Sequence, residues 1–213
     1  MIRNWIKISP FYYFCLYSIV FIFFTFCANY ILYDDALYYK SFEEIVGINR
    51  IDQIINQQRV FQKVGYGIIP FFLLLRALYT TICLTVGIFL LEKNLKFSNC
   101  FNIAIKADII FLIELVIKIN YFSFFEANSL QEVNIHLFSA LQYIGINKTE
   151  EWLFYPMGVL NIFEIGYWIL LSLFLSYYTK ESLGASLGFI AKTYGIGLLL
   201  WIIFVIYIIL YLF

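Results

Sequence analysis

The sequence predicts an all-α, polytopic membrane protein, a helix bundle with about five transmembrane helices. Of its 213 residues, 63% are hydrophobic and only 13% are charged, and the mean hydropathy is +0.85. Soluble domains are about 45–50% apolar and about 25% charged. Several apolar runs also reach the length of about 20 residues that a helix needs to cross a bilayer. We therefore expect one integral membrane domain over residues 1–213.

Five apolar runs are the candidate spans, and the chain between them is polar. They cover about residues 11–32, 68–91, 101–121, 152–178 and 187–213. The first run carries no charge and is too long for the core of a signal peptide, so it is predicted to be a retained span. Apolar residues near helical spacing predict short interfacial helices in segments 34–67 and 122–151. Solvated loops packed on the bundle would explain the same pattern.

Basic residues in short loops predict the orientation, because such loops stay in the cytoplasm. Residues 1–10, 92–100 and 179–186 are short and basic, which predicts that they share the cytoplasmic side. Segments 34–67 and 122–151 then lie on the outer side, although four basic residues in the first of them count against this. The pattern predicts an inner (cytoplasmic) membrane protein with a cytoplasmic N-terminus and its C-terminus on the outer side.

Ionisable residues inside the apolar runs form the candidate site, a predicted intramembrane charge network. A charge at the bilayer centre costs about 2.5–3.5 kcal/mol on insertion scales, so such side chains must face protein or water. The network comprises Arg76, Asp108, Glu114, Glu164 and Lys192. Counting from the span ends places Arg76 and Glu114 at a similar depth, roughly 10–12 Å, and predicts that they pair. The same count pairs Asp108 with Lys192 and leaves Glu164 without an obvious partner.

Two interpretations of this network remain open. Charges of both signs in near balance favour ion pairs that hold the bundle in one arrangement. The alternative is a proton or ion path through Glu114 and Glu164.

Signals for catalysis, metals and cofactors are weak. His136 is the only histidine and has no HExxH or ExxH context, and the four cysteines have no CxxC spacing, so no metal and no cofactor is expected. No GxxxxGK(S/T) or GxGxxG motif appears, and the zero net charge does not favour nucleic acid. A lipid-modifying enzyme would need the carboxylates of segment 34–67 with Arg50 or Arg59, which show no ordered spacing.

The C-terminal third carries a resemblance to a known family. Residues 160–204 read LNIFEIGYWILLSLFLSYYTKESLGASLGFIAKTYGIGLLLWIIF. An Asn-hydrophobic-Phe start, an aromatic pair, a short turn, and then small residues and a lysine entering the last span resemble the five-span Yip1 family. The positions that carry the resemblance are Asn161, Phe163, Tyr167, Trp168 and Lys192. Yip1-like chains usually place a soluble segment ahead of closely spaced spans, whereas this chain has an early first span followed by a long loop.

The resemblance implies a membrane protein without enzymatic activity that acts through protein or lipid partners. Together with the residue patterns, it predicts an accessory or scaffold subunit of a hetero-oligomeric membrane complex, with protein transport or secretion as one setting. The expected partners are other integral membrane proteins and lipids, not nucleic acid. The alternative function is a transporter or permease subunit with a path through Glu114 and Glu164.

Overall fold

A computed structural model describes residues 8–43, 45–92 and 94–212 of the chain. Every regular element within these ranges is helical, and the only β-type pairing there is an isolated bridge between Ser139 and Asn161. The all-α prediction is therefore confirmed. Outside the described residues lie several that the orientation and span predictions use, namely Arg3, Lys7, Lys93 and Phe213.

Eleven α-helices, named α1 to α11 here, follow one another along the described part of the chain. They are α1 (Pro10–Leu32), α2 (Asp35–Phe42), α3 (Ile48–Leu90), α4 (Phe97–Ala107), α5 (Ile109–Phe124), α6 (Leu130–Asn134), α7 (Ala140–Ile144), α8 (Glu151–Val159), α9 (Ile162–Thr179), α10 (Leu183–Ile190) and α11 (Ile196–Leu212). A 3₁₀ turn, Ile146–Lys148, precedes α8, and a π-helical segment, Ala191–Gly195, joins α10 to α11.

Four helical stretches are long and apolar enough to cross a membrane. They are Pro10–Leu32, Ile48–Leu90, Ile162–Thr179 and Leu183–Tyr211. The predicted third span is interrupted, because α4 and α5 meet at Asp108 and have only 11 and 16 residues. The predicted fourth span is also interrupted, since α8 ends at Val159 and α9 begins at Ile162.

The long helix α3 joins a predicted loop to a predicted span. Its 43 residues correspond to about 64 Å at 1.5 Å per residue, roughly twice the thickness of a bilayer's hydrocarbon core. The sequence predicts helix within segment 34–67, and α3 provides it, but the structure has no helix end near residue 68. Gly67 and Pro70 favour an end there, yet α3 continues through both. Glycine and proline are tolerated in membrane helices because neighbouring groups satisfy the backbone.

The bundle core forms where α4 lies between α3 and α9. Leu84, Ile103 and Leu171 pack there with almost no exposure. A second apolar cluster joins α1 to α3 and α5, with Tyr17 and Ala77 at its centre. These contacts bring α1, α4, α5 and α9 together around the middle of α3.

One end of the bundle carries an ordered cap, which we define as α2, residues 48–63 of α3, and α6. Ile51 and Ile55 are buried against Tyr38 of α2. The Leu130 amide donates to Ser41 Oγ at 2.9 Å, which joins α6 to α2. The segments 34–67 and 122–151 therefore meet at the same end of the bundle, as the predicted topology requires.

Candidate functional site

Arg76 lies at the centre of a charged cluster inside the bundle. Its Nε is 3.7 Å from Asp108 Oδ1, and its Nη2 is 3.9 Å from Glu164 Oε2. The predicted pairs Arg76–Glu114 and Asp108–Lys192 are therefore wrong. The depth count failed because it started at residue 68, where α3 has no end.

Asp108 occupies the interruption between α4 and α5. Its backbone, at φ −58° and ψ −15°, departs from α-helical values, and a helix interruption leaves carbonyl groups without their intrahelical partners. The Tyr17 hydroxyl of α1 donates to the Asp108 main-chain carbonyl at 2.9 Å. The Asp108 side chain is only 1% exposed, and neither carboxyl oxygen accepts a hydrogen bond from the described residues.

Glu164, in contrast, accepts two hydrogen bonds on one of its carboxyl oxygens. It lies in the first turn of α9, where Asn161 caps the helix by accepting the Glu164 amide at 2.8 Å. Glu164 Oε1 accepts from Trp168 Nε1 at 3.0 Å and from the Tyr194 hydroxyl at 2.9 Å. A helix N-terminus also favours a negative charge. The two donors and the helix N-terminus together favour an ionised Glu164 carboxylate.

Two aromatic rings lie against the Arg76 guanidinium, whose side chain is still 36% exposed. Its Cζ lies 3.1 Å from the centroid of the Phe111 ring and 5.3 Å from that of Tyr167. The ring faces attract a cation, most strongly where water is excluded. The Tyr167 hydroxyl donates to Thr80 Oγ1 at 3.0 Å, which fixes the ring against α3.

Glu114 belongs to a different pair. Its Oε1 is 2.6 Å from His136 Nδ1, which lies in the segment between α6 and α7. The Glu114 side chain is 8% exposed and that of His136 is 55% exposed. Because Glu114 follows Asp108 by six residues, about 120° of helical rotation separates their faces. The sequence signal for this contact was a single histidine in an otherwise acidic segment.

Lys192 and Lys106 do not join the Arg76 cluster. Lys192 is exposed in the π-helical segment, and the described residues offer it no salt bridge within 4.0 Å. Lys106 is 1% exposed, and its Nζ donates to the Ile8 carbonyl at 3.1 Å. The structure thus brings together three of the five predicted site residues, Arg76, Asp108 and Glu164.

Sequence reasoning missed the hydrogen-bond donors of the cluster. These donors are Tyr17, Trp168 and Tyr194, which lie in apolar runs. The available signal was that each ring carries one hydroxyl or N–H group that needs an acceptor when it is buried. In 8–43, 45–92 and 94–212, no three His, Cys, Asp or Glu side chains are placed to hold a metal ion. The arrangement is an ionic cluster of one cation and two acids, in which Asp108 is buried and Arg76 is partly exposed.

Comparison with known proteins adds no family. No protein-family model matches the chain, and neither does any curated protein or solved structure. The resemblance to the Yip1 family stays a prediction. Of the residues that carry it, Asn161 caps α9, Tyr167 and Trp168 border the charged cluster, and Lys192 is exposed.

Proposed function

We propose that this protein is a five-span integral membrane protein that acts as a non-enzymatic accessory or scaffold subunit of a membrane protein complex. The observation that carries the proposal is the ordered cap, in which two segments far apart in sequence pack into one surface at one end of the bundle. Other membrane proteins are the proposed partners, with the complex located in the inner membrane.

The fifth crossing in this proposal is the interrupted pair α4 and α5. Their 11 and 16 residues, with Asp108 between them, give about 42 Å of helix, which is enough to cross the hydrocarbon core. The interruption is tolerable at that depth because neighbouring helices cover it. Alternating crossings put the cap on the outer side and leave the turns near residues 92–96 and 180–182 in the cytoplasm.

The cap suits protein binding because its surface is already fixed. Lys40 Nζ donates to Asn128 Oδ1 at 3.0 Å, and the Tyr33 hydroxyl donates to Asn134 Oδ1 at 2.8 Å. Burial raises the pKa of Tyr33 to about 12, which agrees with a packed cap. A preorganised surface loses little conformational entropy when a partner binds.

The position of Glu114 also favours the scaffold function over the predicted ion path. Glu114 of α5 pairs with His136, whereas Glu164 lies beside Arg76 in the charged cluster. The two acids named for the path thus have separate partners. Internal pairing of this kind fixes how helices pack.

Photo-crosslinking from two positions of α3 tests the proposal. Ile48 in the cap is 65% exposed, and Phe89 at the opposite end of the same helix is 82% exposed, so they form a matched pair. A photoreactive residue at Ile48 should capture one partner. The same partner should copurify with the protein in a fixed ratio under mild detergent. Ile48→Lys should reduce the amount of copurified partner without lowering the yield of the protein. Phe89 should capture no such partner. A monomer that retains no partner and transports a solute by itself would refute the proposal.

A transporter or permease subunit is the second candidate, and one specific observation favours it. Three helix interruptions contribute residues to the Arg76 cluster or lie beside it. They are at Asp108, at residues 160–161 and at Ala191–Gly195. Interrupted helices hold the coupling ions of many secondary transporters near the bilayer midplane. The test is solute flux into vesicles that contain the purified protein. Flux that responds to a proton gradient, and that is lost in folded Glu164→Gln, would favour this function over the scaffold.

A further inference from the structure

The Arg76 cluster contains one more acid than it has cations. The guanidinium of Arg76 faces the carboxyl groups of both Asp108 and Glu164. Lys106, close in sequence, directs its Nζ to the Ile8 carbonyl. With all three groups ionised, the cluster would carry a net charge of −1. An uncompensated charge is costly inside a bilayer, so a bound proton would stabilise the cluster.

The two acids differ in how well their surroundings support a negative charge. Glu164 Oε1 accepts two hydrogen bonds and lies at a helix N-terminus. Asp108 is almost fully buried, and neither oxygen accepts a hydrogen bond from the described residues. The Arg76 contacts do not separate the two acids, because both the 3.7 Å contact to Asp108 and the 3.9 Å contact to Glu164 are longer than the 2.7–3.2 Å of a normal N–H···O hydrogen bond. A buried carboxyl without donors favours its neutral form.

We propose that Asp108 is an intramembrane proton-binding site, neutral in the resting protein, while Glu164 is the ionised partner of Arg76. The site rests on the proposed crossing of α4 and α5, but not on the scaffold role: a failed crosslink from the cap would leave the aspartate band in place. Its ligand is a single proton, held on one oxygen of the Asp108 carboxyl group.

The groups that face Asp108 come from each element packed around it. They are Arg76 of α3, Tyr13 and Tyr17 of α1, Glu164 and Tyr167 of α9, and Tyr194 of the π-helical segment. Three of the phenols have acceptors other than the Asp108 carboxyl group: Tyr17 donates to the Asp108 main-chain carbonyl, Tyr167 to Thr80 Oγ1 and Tyr194 to Glu164. The Tyr167 hydroxyl also lies near the Asp108 carboxyl group, but its one proton is used in the bond to Thr80. Arg76 is the cation among these groups, and Glu164 is the better-bonded acid.

Infrared spectroscopy of the full chain in phosphatidylcholine vesicles tests the site. At neutral pH, the wild type should show the C=O stretch of a protonated carboxyl group, and ¹³C-labelled aspartate should shift that band. Asp108→Asn should remove it. Asp35→Asn should leave it unchanged, because Asp35 is an exposed acid paired with Arg59 at 2.7 Å. No aspartate band in the labelled wild type, or a band that persists in Asp108→Asn, would overturn the proposal.

Thermal unfolding of two neutral variants gives an independent test. Asp108→Asn exchanges a neutral acid for an amide of the same shape, so the midpoint should stay close to that of the wild type. Glu164→Gln removes the anion that compensates Arg76, so the midpoint should fall. An equal fall in both variants, or the reverse order, would overturn the assignment. Loss of the aspartate band when sodium replaces choline in the buffer would do the same, because it would show that a metal cation takes the site.

Discussion

Replacing Gly87 by alanine tests how closely α3 packs against the last two helices. A Cβ at Gly87 would overlap the methyl group of Thr193 and would lie 2.9 Å from Thr193 Cβ and 3.2 Å from Phe189 Cζ. Thr193 is β-branched and donates its hydroxyl to the Phe189 carbonyl at 2.9 Å, so its side chain has little freedom to move. The backbone of α3 or of the π-helical segment would have to shift.

The expected magnitude follows from two opposing effects. Adding a methyl group to a close-packed interior costs about 1–3 kcal/mol. Exchanging glycine for alanine inside a helix gains about 0.5–1 kcal/mol. Gly65 lies in the same helix, and a Cβ added there would meet no atom within 4 Å, so Gly65→Ala should show the gain alone. We expect Gly87→Ala to be less stable than Gly65→Ala by about 1–3 kcal/mol, the packing cost by itself.

The assay is equilibrium unfolding of both variants and the wild type in the same mixed micelles. Gly65→Ala should be as stable as the wild type or slightly more stable, and Gly87→Ala should unfold first. Equal free energies of unfolding for the two variants would show that α3 and the π-helical segment do not approach closely, and the reasoning would fail.

Three further predictions concern the start of α9 and the cap. Asn161→Ala should lower the free energy of unfolding by about 1–2 kcal/mol because α9 loses its N-cap and the Asn161 Nδ2 bond to the Gly158 carbonyl is lost. Asn161→Ser, which can still cap the helix without adding a charge beside Glu164, should lose less; equal losses would contradict the capping role. The pKa of Tyr33 rises from 10.0 to about 12, so its contribution to cap stability is present below pH 10 and is lost as the pH rises to 12. The stability of the cap, measured by its protease resistance at each pH, should fall in that window, and less so in Tyr33→Phe. Arg59→Gln should change stability by less than about 1 kcal/mol, because the pair with Asp35 is exposed at both ends (58% and 52%); a larger loss in thermal unfolding would contradict this.

The four helices that are long and apolar enough to cross a membrane, and the all-helical fold, could be predicted because both depend on local properties. Composition and the length of apolar runs decide whether a segment is long and apolar enough to cross a bilayer. The helix interruptions could not be predicted in this way. Asp108 interrupts a run that reads as one helix, and the Tyr17 hydroxyl that satisfies its carbonyl comes from 91 residues away. An interruption of this kind depends on tertiary contacts rather than on the local sequence.

The five site residues illustrate the same limit. Their presence inside apolar runs predicted that they must find partners, and Arg76, Asp108 and Glu164 did. Which acid pairs with which base depends on helix rotation and on where each helix ends. Because α3 continues beyond the predicted start of its span, the depth of Arg76 was counted from a point that is not a helix end.

The charges and the interruptions in this bundle require one another. A helix that breaks inside a membrane exposes backbone groups that only protein can satisfy, and Tyr17 supplies that donor at Asp108. Arg76 is tolerable at that depth because a carboxylate compensates it, and Glu164 can remain ionised because the start of α9 and two ring donors support its charge. A neutral Asp108 then fits beside the same guanidinium without adding a second negative charge. Under the proposed crossing of α4 and α5, a proton on one acid balances the charge of the cluster, so the protonation state of Asp108 bears on whether the cluster only fixes the helices or also exchanges a proton.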